Sequence, residues 1–159
     1  MSGDEERAKR IAAATRVFDK DLGVWDAEAE IHPGPGAAPI RQRGVYENRL
    51  VAERWLVLDY RADSGYEGHG VYGWDDVRGH YVGTWVDSMG GSIAHSIGSW
   101  DEGARTMTYV TEAGEPPDAR RYREVTRTIQ DGVQVYENLV PSADGSEFLL
   151  IRIESKRRS

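Results

Sequence analysis

The chain has 159 residues, of which 39% are hydrophobic and 30% charged, a composition typical of one soluble globular domain. It contains no cysteine, which excludes disulfides and thiolate metal sites within it. Its formal net charge of −7 argues against nucleic acid as a partner, because nucleic-acid-binding surfaces are usually basic.

The N-terminal segment predicts one amphipathic helix, over about residues 4–20. Ile11, Ala14 and Phe18 recur at helical spacing, and Gly23 is a plausible stop. The first ten residues are mostly charged, and no run approaches the roughly 18 apolar residues that a membrane helix needs. We therefore expect a cytoplasmic protein that has no membrane partner.

The remaining chain predicts about ten short β-strands. Segments rich in Val, Ile, Thr, Tyr and Trp alternate with turn residues, of which Asp131-Gly132 form the clearest hairpin turn. The predicted strands are 24–32, 41–49, 53–62, 66–75, 80–88, 92–100, 105–112, 120–129, 133–140 and 147–157. Open edges would be costly without a second helix to cover them. We therefore predict an all-β antiparallel meander that closes into a barrel, over about residues 23–157 of a single domain 1–159.

Two motifs resemble those of known families. Gly23-Val24-Trp25 is similar to the GxW signature of lipocalin-like (calycin) barrels, whose Trp packs against an arginine of the last strand. That resemblance points to Arg152, Arg157 or Arg158 as the partner of Trp25.

The second motif is the segment 68–91, GHGVYGWDDVRGHYVGTWVDSMGG. It resembles the hallmark of a bacterial domain-of-unknown-function family, which has a Gly-Tyr-Asp turn and a TWxDSM segment. Trp74 stands where that family usually has Tyr. The resemblance covers nearly the whole chain, and it implies a calycin-like barrel with a central pocket but no activity.

The same segment supplies candidates for the wall of a lumenal pocket. Trp85 and Asp87 share one strand face, which we expect to point inward because a Trp beside small residues suits a shaped cavity. Asp87 is also placed to cap the turn that follows it. Tyr72, Trp74 and His69, from the preceding strand, are further ligand-binding candidates.

A Tyr-Glu-Asn triplet occurs twice, at 46–48 and 136–138. Strand alternation places Tyr and Asn of each triplet on one face. If that face is lumenal, Tyr46 and Tyr136 can donate hydrogen bonds to a ligand or act as an acid, with Asn48 and Asn138 beside them. The alternative is a pair of tyrosines at the edge of the core with solvated hydroxyls.

The histidines give weaker indications of a binding site. The four histidines lack HxH or HxxxH spacing, so no metal site is predicted; they are His32, His69, His80 and His95. His95 shares a face with Ile93 and Ile97, which suits a core histidine or a pocket residue. A heme group held from a late strand would need a histidine there, and no histidine follows His95 in the sequence. We therefore expect no cofactor.

One further basic face is found in the strand 120–129. Arg121, Arg123 and Arg127 share it, and they would form a carboxylate clamp if it were lumenal or a basic stripe if it were exterior.

These observations predict a barrel that binds a small, largely apolar molecule in its lumen. The alternative is a cofactor-independent cyclase or isomerase of a bacterial secondary-metabolite pathway that uses the same cavity. Asp87, His95, Tyr46 and Tyr136 would then supply acid–base chemistry. A third interpretation, a structural or partner-binding module, requires a filled cavity and an exposed apolar patch. The oligomeric state stays open, a homodimer included.

Overall fold

The computed structural model describes residues 2–115 and 117–159. Helix α1 (Gly3–Thr15) continues into a short 3-10 helix (Arg16–Asp21), and ten strands follow. These are β1 (Gly23–Ile31), β2 (Ile40–Val51), β3 (Trp55–Ala62), β4 (Glu67–Asp75), β5 (His80–Asp87), β6 (Ala94–Asp101), β7 (Thr106–Ala113), β8 (Arg120–Gln130), β9 (Val133–Pro141) and β10 (Glu147–Arg157). None of the helices in this described part is long and apolar enough to cross a membrane.

The ten strands form one closed antiparallel barrel. Each strand pairs with its neighbours in the sequence, and β1 pairs with β10 to close the sheet. Closure gives every strand two hydrogen-bonded neighbours, which removes the exposed edges that an open sheet would have. The prediction of an all-β barrel with one N-terminal helical segment is confirmed, and each predicted strand corresponds to an observed one.

The N-terminal helices cover one end of the barrel, which we call the helix end. Phe18 is 2% exposed and packs on apolar side chains of the barrel interior, which include Leu56, Tyr81, Met107 and Tyr109. The Tyr81 hydroxyl donates a hydrogen bond of 2.8 Å to the Ala14 carbonyl. Asp76, in the turn after β4, accepts hydrogen bonds from Arg7 and Arg10 of α1. These contacts fix the helices over the barrel opening.

Trp25 connects the helix end to the last strand. Its side chain is 1% exposed, and its indole nitrogen donates to the Asp21 carbonyl at 2.9 Å. The guanidinium of Arg157 lies 5.3 Å from the ring centroid and also donates to the Lys20 carbonyl. Of the three arginines proposed as partners of this Trp, Arg157 is the one that packs on it.

Glycines in the barrel wall make room for aromatic rings. A Cβ at Gly68 would overlap the Trp85 indole, and a Cβ at Gly83 would overlap the Tyr72 ring. Both rings therefore lie directly against the backbone of a neighbouring strand. This explains why the segment 68–91 combines many rings with many glycines.

Candidate functional site

The register of the sheet defines which side chains enter the lumen. Trp85 pairs with Gly70 on one side and Ala94 on the other. Its ring packs in a second apolar cluster, beyond the layer at the helix end, around Ala27, Ala29, Tyr60 and Ile153. The face of β5 that carries Trp85 and Asp87 therefore points inward, as predicted.

A carboxyl group lies in the lumen at Glu124 of β8. Its Oε1 accepts a hydrogen bond of 2.5 Å from the Thr111 hydroxyl, and its Oε2 accepts one from the Tyr136 hydroxyl. Thr111 is completely buried, and its Oγ1 lies 2.7 Å from the Ser96 Oγ. Thr111 of β7 and Tyr136 of β9 thus bind the Glu124 carboxyl directly, and Ser96 of β6 joins the cluster through Thr111.

The donors of this cluster point toward Glu124. Thr111 gives its only hydroxyl hydrogen to the carboxylate, so in its contact with Ser96 it must accept. Asn138 donates from Nδ2 to the Tyr136 oxygen at 3.4 Å. The Asn138 Oδ1 is buried and has no hydrogen-bond partner among the described residues. One acceptor of the cluster is therefore unpaired.

Burial controls the ionisation of this cluster. It raises the pKa of the Glu124 carboxyl, and the hydrogen bonds from Thr111 and Tyr136 lower it by less. Burial also raises the pKa of the Tyr136 hydroxyl well above 10.0, and the nearby Glu124 charge adds to that rise. Perturbed titratable groups of this kind are typical of functional sites.

Four inward side chains near this cluster are not completely buried. Tyr46, Tyr72, Glu124 and Tyr136 lie on the inward faces of their strands, deep enough for burial to raise the pKa of each. Each of them nevertheless keeps part of its surface accessible.

Asp87 lies on the inward face at the end of the barrel opposite the helices. Its Oδ1 accepts from the backbone N–H groups of Met89 and Gly90 at 2.9 and 2.8 Å. Its Oδ2 accepts from the Tyr66 hydroxyl at 2.9 Å and from the Trp85 indole nitrogen at 3.0 Å. Burial raises the pKa of Asp87, but these four hydrogen bonds outweigh it and the pKa is lowered. The capping role considered for Asp87 is the one that the structure shows.

His95 lies on the outer wall. It is exposed, as are Ile93 and Ile97, which are 52% and 58% accessible. The expectation that this stripe belongs to the core or a lumenal pocket is therefore wrong. The inward face of β6 carries Ala94, Ser96, Gly98 and Trp100. Ala94 and Gly98 are small because they lie beside the large side chains of Trp85 and Tyr109 in the sheet. His95 instead lines a shallow outer groove of about 340 Å³.

Three other candidates also lie away from the lumenal carboxyl. His69 Nδ1 is 2.6 Å from Asp59 on the outer wall, and its side chain is 46% exposed. Arg123 pairs with Glu147 at 2.7 Å, also outside the barrel. Trp74 points inward but packs at the helix end, where its ring contacts Tyr81.

The arginine face of β8 points outward. Arg121 and Arg127 pair with the carboxylates of Glu112 and Glu137 on the exterior. The exterior basic stripe, rather than a lumenal carboxylate clamp, is therefore what the structure shows.

Sequence reasoning identified Tyr46, Tyr136, Asn48 and Asn138 but not Glu124. The signal was present, because Glu124 occupies the strand face opposite the three arginines. An outward arginine stripe places Glu124 in the lumen by alternation alone. The two asparagines also differ in position, since Asn48 donates to the Asp21 carbonyl near the helix end and Asn138 belongs to the Glu124 cluster.

Fold and site together define a closed ten-stranded barrel with an acidic, tyrosine-lined lumen. The chain belongs to the family described as Protein of unknown function (DUF1579), whose profile matches residues 12–157. No curated protein matches the chain. A similar solved structure is titled "Crystal Structure of Rv2717c from M. tuberculosis"; it is 12% identical, with a TM-score of 0.70 over 92% of this chain and 98% of that one. This similarity shows the fold.

Proposed function

We propose that this protein binds a small, largely apolar molecule in the lumen of a calycin-like barrel. The observation that carries the proposal is the partial accessibility of Tyr46, Tyr72, Glu124 and Tyr136, all of which point toward the barrel axis. Small-molecule sites are concave, mostly apolar and equipped with a few polar groups. Aromatic walls around one polar cluster fit that description.

Ile151 offers a way to fill the lumen. It lies next to Asn138 in the sheet and packs on the inward cluster around Tyr60 and Ile153. A Trp at position 151 would occupy space beside the Glu124 cluster. Ile97→Trp is the matched control, because Ile97 is 58% exposed on the outer wall.

The experiment is a fluorescence titration with N-phenylnaphthylamine, a neutral apolar probe. We expect wild type and Ile97→Trp to bind the probe with dissociation constants in the micromolar range, while Ile151→Trp binds at least about tenfold more weakly. Circular dichroism checks that both variants keep the strand content of wild type. Equal affinity in all three proteins, or no binding to any, contradicts the proposal.

Acid–base catalysis in the same lumen is a second candidate, as in a cofactor-independent cyclase or isomerase. It is favoured by the hydrogen bond between the Glu124 carboxyl and the Tyr136 phenol, both with a raised pKa. A carboxyl held in this way can exchange a proton with a substrate. Tyr46 is also inward and partly accessible, whereas Asp87 has both oxygens engaged and His95 lies outside.

Proton transfer can be tested with benzylacetone in deuterium oxide. If the lumen catalyses it, deuterium enters the carbon next to the carbonyl faster with wild type than with Glu124→Gln or Tyr136→Phe. Rates equal to those of buffer in all samples contradict the catalytic candidate and leave ligand binding standing.

A further inference from the structure

We infer that the lumen selects a cationic amine with an apolar body, that it discriminates against carboxylic acids, and that Glu124 makes this distinction. The inference rests on the proposed lumenal binding and names the chemical class of the ligand. It depends on three features of the described residues: the charge near Glu124, the unpaired acceptors and the surrounding phenols.

The first feature is the absence of a positive partner. Only burial, Thr111 and Tyr136 shift the pKa of Glu124, and no described basic side chain contributes. At the helix end, Lys20 lies over the Trp100 ring and Arg157 over the Trp25 ring. A carboxylate buried without a counter-ion is unfavourable, and an ammonium group placed beside it relieves that cost.

The second feature is an excess of hydrogen-bond acceptors. Asn138 is 8% exposed, and its Oδ1 lacks a donor among the described residues. The Oδ1 of Asn48, near the helix end, is a second buried acceptor without a partner among the described residues. Buried acceptors without donors are rare in proteins, and a ligand that brings N–H groups would satisfy them. A deprotonated carboxylic acid brings only further acceptors.

The third feature is the set of tyrosines near Glu124. The Glu124 charge contributes, after burial, to the raised pKa of several phenols on different strands; they are Tyr46, Tyr72, Tyr109, Tyr122 and Tyr136. Aromatic faces attract cations, most strongly where water is excluded. The same rings offer apolar surface to the body of the ligand. Carboxyl and phenols together thus favour an ammonium group over a neutral or negative one.

The test uses three probes with one shared aromatic body: naphthylmethylamine, naphthylmethanol and naphthoic acid. Calorimetric titration at about pH 8 keeps the amine largely cationic. We expect wild type to bind the amine at least about tenfold more tightly than the alcohol, and the acid more weakly than either. In Glu124→Gln, amine and alcohol should bind within about threefold of each other, because the preference for the amine is lost.

Glu112→Gln is the matched control, since Glu112 is an exposed glutamate of β7 whose side chain is 68% accessible. It should behave as wild type toward all three probes. An amine preference that persists in Glu124→Gln overturns the inference, and so does equal binding of amine and alcohol to wild type. If the alcohol still binds in that last case and Ile151→Trp abolishes its binding, the proposed function stands. If no probe binds wild type, both fail.

Discussion

Arg123 and Glu124 are adjacent in β8 and lie in opposite environments. Arg123 points outward and pairs with Glu147 at the surface. Glu124 points inward and accepts hydrogen bonds from Thr111 and Tyr136. The difference arises from strand alternation, which turns successive side chains to opposite faces of a sheet. One carboxylate therefore forms a surface ion pair, while the other is a buried group hydrogen-bonded to two hydroxyls.

The raised pKa of Glu124 predicts a stability change in Glu124→Gln. In the folded state the protonated carboxyl is favoured, so wild type loses stability as pH rises from 4.5 toward the folded pKa. Glutamine lacks this titration. We expect the free energy of unfolding of Glu124→Gln to exceed that of wild type by about 1 kcal/mol at about pH 8, and by less at about pH 5. Urea unfolding at both pH values measures the difference.

Glu112→Gln serves as the control for this comparison, because Glu112 is exposed and its ion pair with Arg121 spans 3.7 Å at the surface. The same pH slope of stability in wild type and Glu124→Gln would show that burial of Glu124 does not affect folding.

Asp87 gives the opposite pH dependence. Its folded pKa lies below 3.8, so its contribution to stability is present above that value and lost as pH falls through the folded pKa. Asn in its place cannot accept from both Tyr66 and Trp85 while capping the turn. We expect Asp87→Asn to lower the free energy of unfolding at about pH 7 by about 1 kcal/mol, because the Asp87 side chain is partly exposed and its interactions are weakened by solvent.

Thermal unfolding at about pH 7 and at about pH 3 checks the Asp87 prediction. Asp118→Asn is the control, because Asp118 is exposed. The gap between wild type and Asp87→Asn should shrink at the lower pH. A constant gap would mean that packing, rather than the carboxylate, stabilises the turn.

The β4–β5 hairpin shows how one element shapes the lumen. Gly68 pairs with Asp87, and Gly70 pairs with Trp85. The Trp85 ring lies across the backbone of β4 at Gly68, where no other residue type leaves room for it. A strand glycine usually weakens a sheet, so its presence at this position is explained by the close approach of the indole.

Gly68→Ala therefore tests the packing of this hairpin. The added methyl overlaps the indole of Trp85, and we expect a loss of about 1–3 kcal/mol in unfolding free energy together with a changed Trp fluorescence. Gly91→Ala is the control, because a Cβ there meets no atom within 4 Å and its φ is not positive. Equal stability of the two variants would show that Trp85 has room to move.

β6 illustrates why the inward face of a strand is hard to infer from its sequence. Its one isoleucine, Ile97, lies on the outer wall, whereas Ala94, Ser96 and Gly98 face the lumen. Hydrophobicity alone favours the opposite orientation. The rings of neighbouring strands decide the outcome, since large inward side chains on β5 and β7 require small ones between them.

At the scale of the whole molecule, closure is the property with the clearest consequence. β1 pairs with β2 and β10, so the two terminal strands of the sequence have partners on both sides. We expect backbone amides of β1 and β10 to be as protected from hydrogen exchange as those of the central strand β6. Exchange measured by mass spectrometry after peptic digestion gives this comparison.

If amides of β1 or β10 exchange as fast as those of the turns, one side of that strand has no hydrogen-bonded partner. That result would contradict the closed barrel. Gly91, Ser92 and Ile93 provide an internal reference for fast exchange, since they are exposed and lie between strands.

Much of the fold follows from the sequence. Turn residues and runs of strand-forming residues act locally, so all ten strands and the helix were predictable, and the lack of a second helix made closure the natural solution. The inward orientation of Trp85 was also predictable, because a Trp beside small residues suits a cavity. For Tyr46 and Tyr136 the sequence left the face open, because alternation shows only that Tyr and Asn of each triplet share one.

Only the tertiary structure brings Ser96, Thr111, Glu124, Tyr136 and Asn138 together. They come from four strands, and their meeting depends on the register of each pair around a closed sheet. A shift of one residue in one strand would turn its side chain outward and remove it from the cluster. The sequence by itself therefore determined the barrel, because its signals are local. The lumenal site was decided by the tertiary structure, because its contacts join residues distant in the chain.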